Sequence, residues 1–239
     1  AGCFSVWSIY FHQPDGFLRI RQLRSADTSL VVIETPAGNT YLLDLEGDPN
    51  ETSAALTPLL SPWNYHLDGI VLTRPLSEIA LSDLNASLPV KAILTANAIL
   101  RPAAGEYPLS LPDSTDLINL SSTTALEIEK GLSLSVIGEA PEQTAYALEY
   151  SQVSIVIPAG LDYALIRETH PGLLENADLL ILSPLDTSYI PPRLWRQLEP
   201  GVLLWNSLDL SPFGVSSSMD KSETISLISD GNSLWIENP

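Results

Sequence analysis

The sequence predicts an α/β fold, αββα in layering: two mixed β-sheets packed face to face with helices on the outer faces. Two observations predict it. A meander of short strands followed by alternating strands and helices occurs twice along the chain. Several strand segments are also apolar without alternation, as in Ile70 to Leu72 and Ala177 to Ser183, which is how parallel strands covered on both faces read. The composition, 45% hydrophobic and 17% charged over 239 residues, supplies the core such a fold needs.

The elements follow in order. Gln13-Pro14-Asp15-Gly16 is a turn signal. Leu18 and Ile20 then alternate with Arg19 and Arg21 in a half-exposed strand. Leu30 to Glu34 is a second strand, Thr35 to Asn39 a tight turn, and Thr40 to Leu45 a third strand. Glu46 to Asn50 reads as a loop. Glu51 to Leu60 reads as a helix, acidic where the helix dipole favours it, with Leu56, Leu59 and Leu60 on one face. Leu67 to Thr73 is the central strand. Leu81 to Leu88 is a short helix, with Ser82 and Asp83 as its expected caps and Pro89 as its stop. Val90 to Thr95 is the next strand.

Residues 99 to 122 read as a long loop with a short strand. The second meander comprises Ala125 to Ile128, Leu132 to Val136, Ala145 to Tyr150 and Val153 to Ile157. Leu161 to Leu174 contains a helix, Ala177 to Ser183 is a buried strand, and Pro191 to Leu198 is a helix opened by proline. Val202 to Trp205 is a strand. A hairpin around Asp230-Gly231 closes the chain. No linker divides it, so residues 14–239 are expected to form one domain after an apolar N-terminal segment, 1–13.

Charge and residue counts narrow the function. The net charge is -18, and 29 acidic against 11 basic residues repel a phosphate backbone over the surface as a whole. One cysteine, Cys3, excludes an internal disulfide and paired-cysteine metal sites. His12, His66 and His170 are far apart and never in metal-binding spacing. No Gly-x-Ser-x-Gly elbow or Gly-rich phosphate loop is present. Ala1 to Phe11 carries no charge. It reads as the end of a membrane helix, as a strand or, through Ala1-Gly2-Cys3, as a lipoprotein start.

The central strand ends abruptly in Thr73-Arg74-Pro75, and the ends of parallel strands are where α/β proteins place their chemistry. Of Arg74 to Ile79, only Glu78 offers a metal-ligating or basic side chain. Asp27, Asp44, Glu46, Asp48, Glu78 and Asp186 read as a solvated acidic rim before a hard-cation site. Arg19, Arg21 and Arg24 read as a strand face paired to nearby acids before a nucleic-acid patch. Trp63, Trp195, Trp205 and Trp235 are expected to pack helices on sheets.

Pro14-Asp-Gly-Phe-Leu-Arg-Ile, Val32 to Asp44 and Leu67-Asp-Gly-Ile-Val-Leu-Thr73, continued by Val153 to Ile157, Ala177 to Ser183 and Ser229 to Ile236, carry a likeness over nearly the whole chain from about Pro14. Together they resemble the metallo-β-lactamase-like domain, above all the version at the soluble end of ComEC-type DNA-uptake proteins. That resemblance implies an αββα sandwich and a metal site of imidazoles and carboxylates at strand ends. It matches the His-x-His-x-Asp-His ligands to Arg74, Leu76, Glu78 and Ile79. It matches the bridging carboxylate to Gly160 and the later His-His turn to Pro184 and Leu185. The last histidine loop falls on Phe213 to Ser216, and the glycine-rich turn on Leu23 to Thr28.

The degenerate ligand positions imply a domain that has lost its metal and holds no cofactor. Asp44, Arg74, Glu78 and Asp186 would line the remnant cleft. Leu76, Ile79, Pro158 and Leu185 would fill it, with Arg74 turned toward an acid. The family consists of metal-dependent hydrolases, and the lost ligand positions lean toward a scaffold or interaction module before an enzyme, attached to the membrane domain of the same or a partner protein. It would lie on the extracytoplasmic face and meet single-stranded DNA through other subunits, and no small-molecule ligand is identifiable. The alternatives are a metal-dependent hydrolase or nuclease with a remodelled carboxylate site, and a nucleic-acid-binding module.

Overall fold

The computed structural model describes residues 14–25, 28–43, 49–60, 65–75, 78–96, 114–122, 124–140, 143–182, 202–205 and 225–237. The first half builds β1 (Leu18–Ser25), β2 (Thr28–Glu34), β3 (Thr40–Leu43), helix α1 (Pro49–Leu56), β4 (Gly69–Val71), α2 (Glu78–Ser87), β5 (Ala92–Ala96) and β6 (Asp116–Leu120). The second builds β7 (Leu126–Glu129), β8 (Leu132–Ala140), β9 (Gln143–Tyr150), β10 (Val153–Ile157), α3 (Tyr163–Thr169), β11 (Leu179–Leu182) and β12 (Val202–Trp205), and the chain closes with β13 (Ile225–Ser229) and β14 (Leu234–Glu237).

These strands form two sheets. One has the order β14-β13-β1-β2-β3-β4-β5-β6, the other β12-β11-β10-β9-β8-β7. In the larger sheet, β14 to β3 pair antiparallel and β3 to β6 parallel. In the smaller, β7 to β10 pair antiparallel and β10 to β12 parallel. The twice-repeated meander and alternation therefore give two mixed sheets, as expected.

Alternation along each strand decides what each face buries. Leu18, Ile20, Val31, Ile33, Val71 and Leu94 of the larger sheet meet Leu134, Tyr146, Leu148, Ile155 and Ile181 of the smaller in one central core. The opposite face of the larger sheet, Val32, Leu42, Ile70, Leu72 and Ile93, packs on Leu56 of α1, Leu81 and Leu84 of α2, and Leu88 just after α2. The outer face of the smaller sheet, Ala147, Val156 and Leu180, packs on Tyr163 and Ile166 of α3. Continuous apolar runs such as Ile70 to Leu72 are thus explained: both neighbouring residues find a core.

Several local expectations are corrected. The helix expected from Leu81 starts at Glu78, so Ser82 and Asp83 are exposed positions in its second turn and cap nothing. Helix α1 starts at Pro49, inside the expected loop; proline suits the first turn of a helix because its missing N–H has no helical acceptor there. Strand β8 runs on to Ala140 past an irregularity between Val136 and Gly138. Trp235 packs no helix on a sheet. It is 40% exposed on the edge strand β14 and meets Phe17 edge-on, with ring centroids 6.2 Å apart. The expected helix Pro191 to Leu198 and the side chains of Trp63, Trp195 and Trp205 lie outside the described residues.

The same aspartate bracket fixes the parallel junction in each sheet. Asp68, just before β4, donates its N–H to the Thr40 carbonyl at 2.9 Å and accepts the Thr40 N–H on Oδ2 at 2.8 Å. Asp178, just before β11, treats Ser154 alike, at 2.9 and 2.8 Å. Each bracket sets the register at the lower end of the parallel strands, and the upper ends form the rim where the site was expected.

Candidate functional site

The rim begins where β4 ends. The Leu72 N–H donates to the Leu94 carbonyl at 2.9 Å, the last rung toward β5. The chain then leaves the sheet through buried Thr73, half-buried Arg74 and exposed Pro75. Two groups of β9 reach across from the other sheet to hold this exit. The Tyr146 hydroxyl donates to the Leu72 carbonyl at 2.8 Å, and the Thr144 N–H donates to the Thr73 carbonyl at 2.8 Å. Both β9 residues are 0% exposed. The Thr144 hydroxyl beside them is buried with no hydrogen-bond partner.

The next stretch of rim follows β10. Pro158, Ala159 and Gly160 are all buried. Ala159 and Gly160 have φ of 55° and 79°, and the Leu161 N–H closes the turn on the Pro158 carbonyl at 3.0 Å. Two successive left-handed residues make a mirror-image turn, which suits Gly160 and strains Ala159 by about 1 kcal/mol. The turn delivers Leu161, 1% exposed, into the outer core of the smaller sheet. Asp162 then caps α3 by accepting the Ala164 N–H at 2.8 Å.

The expected site residues are placed as follows. Arg74 and Gly160 lie on the rim. Glu78 and Ile79 open α2, with only their backbone described. Pro158 is buried. Asp27, Asp44, Glu46, Asp48, Leu76, Pro184, Leu185, Asp186 and Phe213 to Ser216 lie outside the described residues, as does His12. Tyr146 and Thr144 were missed by sequence reasoning. The only signal was a tyrosine and a threonine on the inward register of strand β9.

The rim positions that are described do not fit a catalytic divalent metal. Such an ion needs imidazole or carboxylate donors. Arg74 brings a permanent positive charge, and Gly160 brings no side chain. Among the described residues no group of three or more His, Cys, Asp or Glu side chains could hold a metal ion.

The described imidazoles are elsewhere. His170 caps the C-terminus of α3 through its backbone N–H. His66 lies at the opposite, lower end of β4, where its Nε2 is 3.1 Å from Asp68 Oδ1. The same oxygen accepts from Lys91 Nζ at 2.8 Å. Burial raises the Asp68 pKa, yet the Lys91 ammonium, the Thr40 N–H and His66 together hold it below the ordinary carboxylate value. Burial also pushes the neighbouring Tyr41 phenol up to about 12, aided by the Asp68 and Glu129 carboxylates. This network is a structural clamp below the parallel strands, away from the rim.

Of the expected arginine face, Arg19 and Arg21 are ion-paired, and the side chain of Arg24 lies outside the described residues. Arg19 meets Asp15 at 2.6 Å and Glu237 at 3.6 Å, and Arg21 meets Glu34 at 3.2 Å. The pairing with Arg19 holds the Asp15 carboxyl below its ordinary value. These partners use the cations that a phosphate backbone would need.

No family model matches the chain, and no curated protein matches its sequence. Solved structures do. The metallo-β-lactamase fold protein YhfI from Bacillus subtilis is 14% identical over 82% of this chain and 90% of its own, with a TM-score of 0.54. CmlA, a diiron β-hydroxylase from Streptomyces venezuelae, is 14% identical over 85% of this chain and 47% of its own, with a TM-score of 0.49. The short form of human tRNase Z is 14% identical over 79% of this chain and 91% of its own, with a TM-score of 0.48. The likeness to YhfI shows the fold: this chain has the metallo-β-lactamase αββα architecture. No described helix is long and apolar enough to cross a membrane.

Proposed function

We propose that this chain is a metallo-β-lactamase-fold domain that has lost its metal site and serves as a scaffold or interaction module of a membrane-associated protein of the ComEC DNA-uptake type. The observation that carries the reading is the chemistry of the rim. In the sequence resemblance, a guanidinium, Arg74, falls at one family ligand position and a residue without a side chain, Gly160, at another. Support for the setting comes from the sequence segments that resemble ComEC-type domains and from the uncharged stretch Ala1 to Phe11. In this reading the domain lies on the extracytoplasmic face. Its partner is the membrane domain of the same or a neighbouring protein, and single-stranded DNA is handled by other subunits.

Elemental analysis of the purified protein tests the central claim. Less than about 0.1 zinc, manganese or iron per chain is expected, because a lost ligand set forfeits most of the affinity that a structured site supplies. About one metal per chain would overturn it. So would a metal-dependent phosphodiesterase activity abolished by Glu78→Gln with Asp186→Asn. That second result would establish instead a hydrolase using a remodelled carboxylate site.

A further inference from the structure

The lower end of the sheets, opposite the rim, has a composition of its own. Tyr65 and Trp235 are each 40% exposed and Leu117 is 43% exposed, at the lower ends of β4, β14 and β6. Phe17 and Tyr150, both half-buried, lie at the lower ends of β1 and β9. Strands β14 and β6 are the two edges of the larger sheet, so Trp235, Phe17, Tyr65 and Leu117 are spread along its lower border, with Tyr150 on the smaller sheet. At ~4.8 Å per strand spacing, that border is roughly 34 Å long. Ile236, the next residue on β14, is also exposed but on the opposite face of that strand, and Leu165 on α3 stands apart.

Each aromatic keeps a polar handle or a neighbour. The Tyr150 hydroxyl donates to the Gly16 carbonyl at 3.0 Å, the Tyr65 hydroxyl is 2.9 Å from Thr57 Oγ1, and Phe17 meets Trp235 edge-on. Amphipathic rings at one level are suited to the boundary between headgroups and acyl chains. The chain also enters the fold at this end, through Pro14 to Phe17, directly after the uncharged stretch Ala1 to Phe11. Several carboxylates at this end are engaged locally, Asp15 by Arg19, Asp68 by Lys91 and His66, and Asp230 by the N–H groups of Asn232 and Ser233, while Asp116 beside Leu117 and Glu149 beside Tyr150 are exposed. No excess of cations is left to attract anionic lipid.

We propose that this lower end rests on the interfacial layer of a zwitterionic lipid bilayer, with Tyr65 and Trp235 in the headgroup region and the rim turned away from the membrane. The inference rests on the membrane association proposed above and adds the face and the lipid chemistry.

Flotation of the full chain with phosphatidylcholine vesicles tests it. The chain is expected to float, and Tyr65→Ser with Trp235→Ser to lower the bound fraction severalfold at unchanged circular dichroism. Leu117→Asp is expected to do the same should the double variant unfold, while Leu165→Ser changes nothing. Adding phosphatidylglycerol at low salt is expected to weaken binding, and stronger binding would overturn the lipid assignment. Should Val6→Asp with Ile9→Asp abolish flotation while the lower-end variants float normally, membrane attachment stands and the proposed face is refuted. Should the unaltered chain fail to float, the membrane reading itself falls.

Discussion

The Tyr146 hydroxyl, rooted in the smaller sheet, ends on the backbone carbonyl of Leu72 in the larger one, 2.8 Å away and fully buried. A side chain of one sheet thereby holds the residue just after β4, where the chain leaves the sheet toward the candidate rim. Tyr146→Phe removes the donor and leaves that carbonyl lone pair without it. The loss of a buried hydrogen bond is about 1–2 kcal/mol. In a domain of this size that lowers the unfolding midpoint by roughly 2–8 °C. Thermal unfolding checks it, and a change below about 1 °C would mean that the carbonyl finds another donor.

Thr144 is two residues away and should respond in the opposite direction. Its N–H is bonded to Thr73, but its hydroxyl is buried without a partner. Thr144→Val keeps the backbone bond and replaces the hydroxyl with a methyl of similar volume. Removing an unsatisfied buried polar group stabilises by about 1 kcal/mol. Denaturant unfolding of the variant is expected to show a raised midpoint at an unchanged slope. A lowered midpoint would reveal a hydrogen bond to that hydroxyl.

Asp68 makes stability depend on pH at the acid end. Its folded pKa lies below the 3.8 of the free side chain. A depressed carboxyl pKa contributes stability that is fully present above the unfolded value and is lost as pH falls through the folded one. The unaltered protein is therefore expected to exceed Asp68→Asn by a constant margin above about pH 5, since that is a full unit above the unfolded pKa. The margin, roughly 2 kcal/mol for a charge-assisted network, should shrink below pH 4. A margin independent of pH would assign the effect to shape and not to charge.

Gly138 lies at the irregularity of β8, and a Cβ there would collide with Cδ2 of Leu161. Leu161 is 1% exposed and held by the turn after β10, so it has little room to withdraw. Gly138→Ala is expected to destabilise by about 1–3 kcal/mol, the range for overpacking a filled core. Combining it with Leu161→Ala should recover part of that loss, and a strictly additive double mutant would show that the two residues do not collide.

Local pattern was enough to determine the layering. Apolar alternation in Leu18 and Ile20 and unbroken apolar runs in Ile70 to Leu72 and Leu179 to Leu182 encode how many faces each strand buries, and that count decides sheet type. Turn residues with obligatory backbone demands, such as Gly38 and Gly231 at φ of 83° and 87°, were equally legible. Helix starts were not. Ser82 and Asp83 are good caps by type, yet α2 begins a turn earlier, because burial of Leu81, Leu84 and Leu88 on the sheet outweighs the preference of one capping residue. The candidate site was legible only as a pattern of residues at strand ends. Nothing local to Leu72 or Thr73 announces that Tyr146 and Thr144, more than seventy positions later, will close on them. Contacts between sheets depend on which faces meet and in what register, and only the packed tertiary structure decides that.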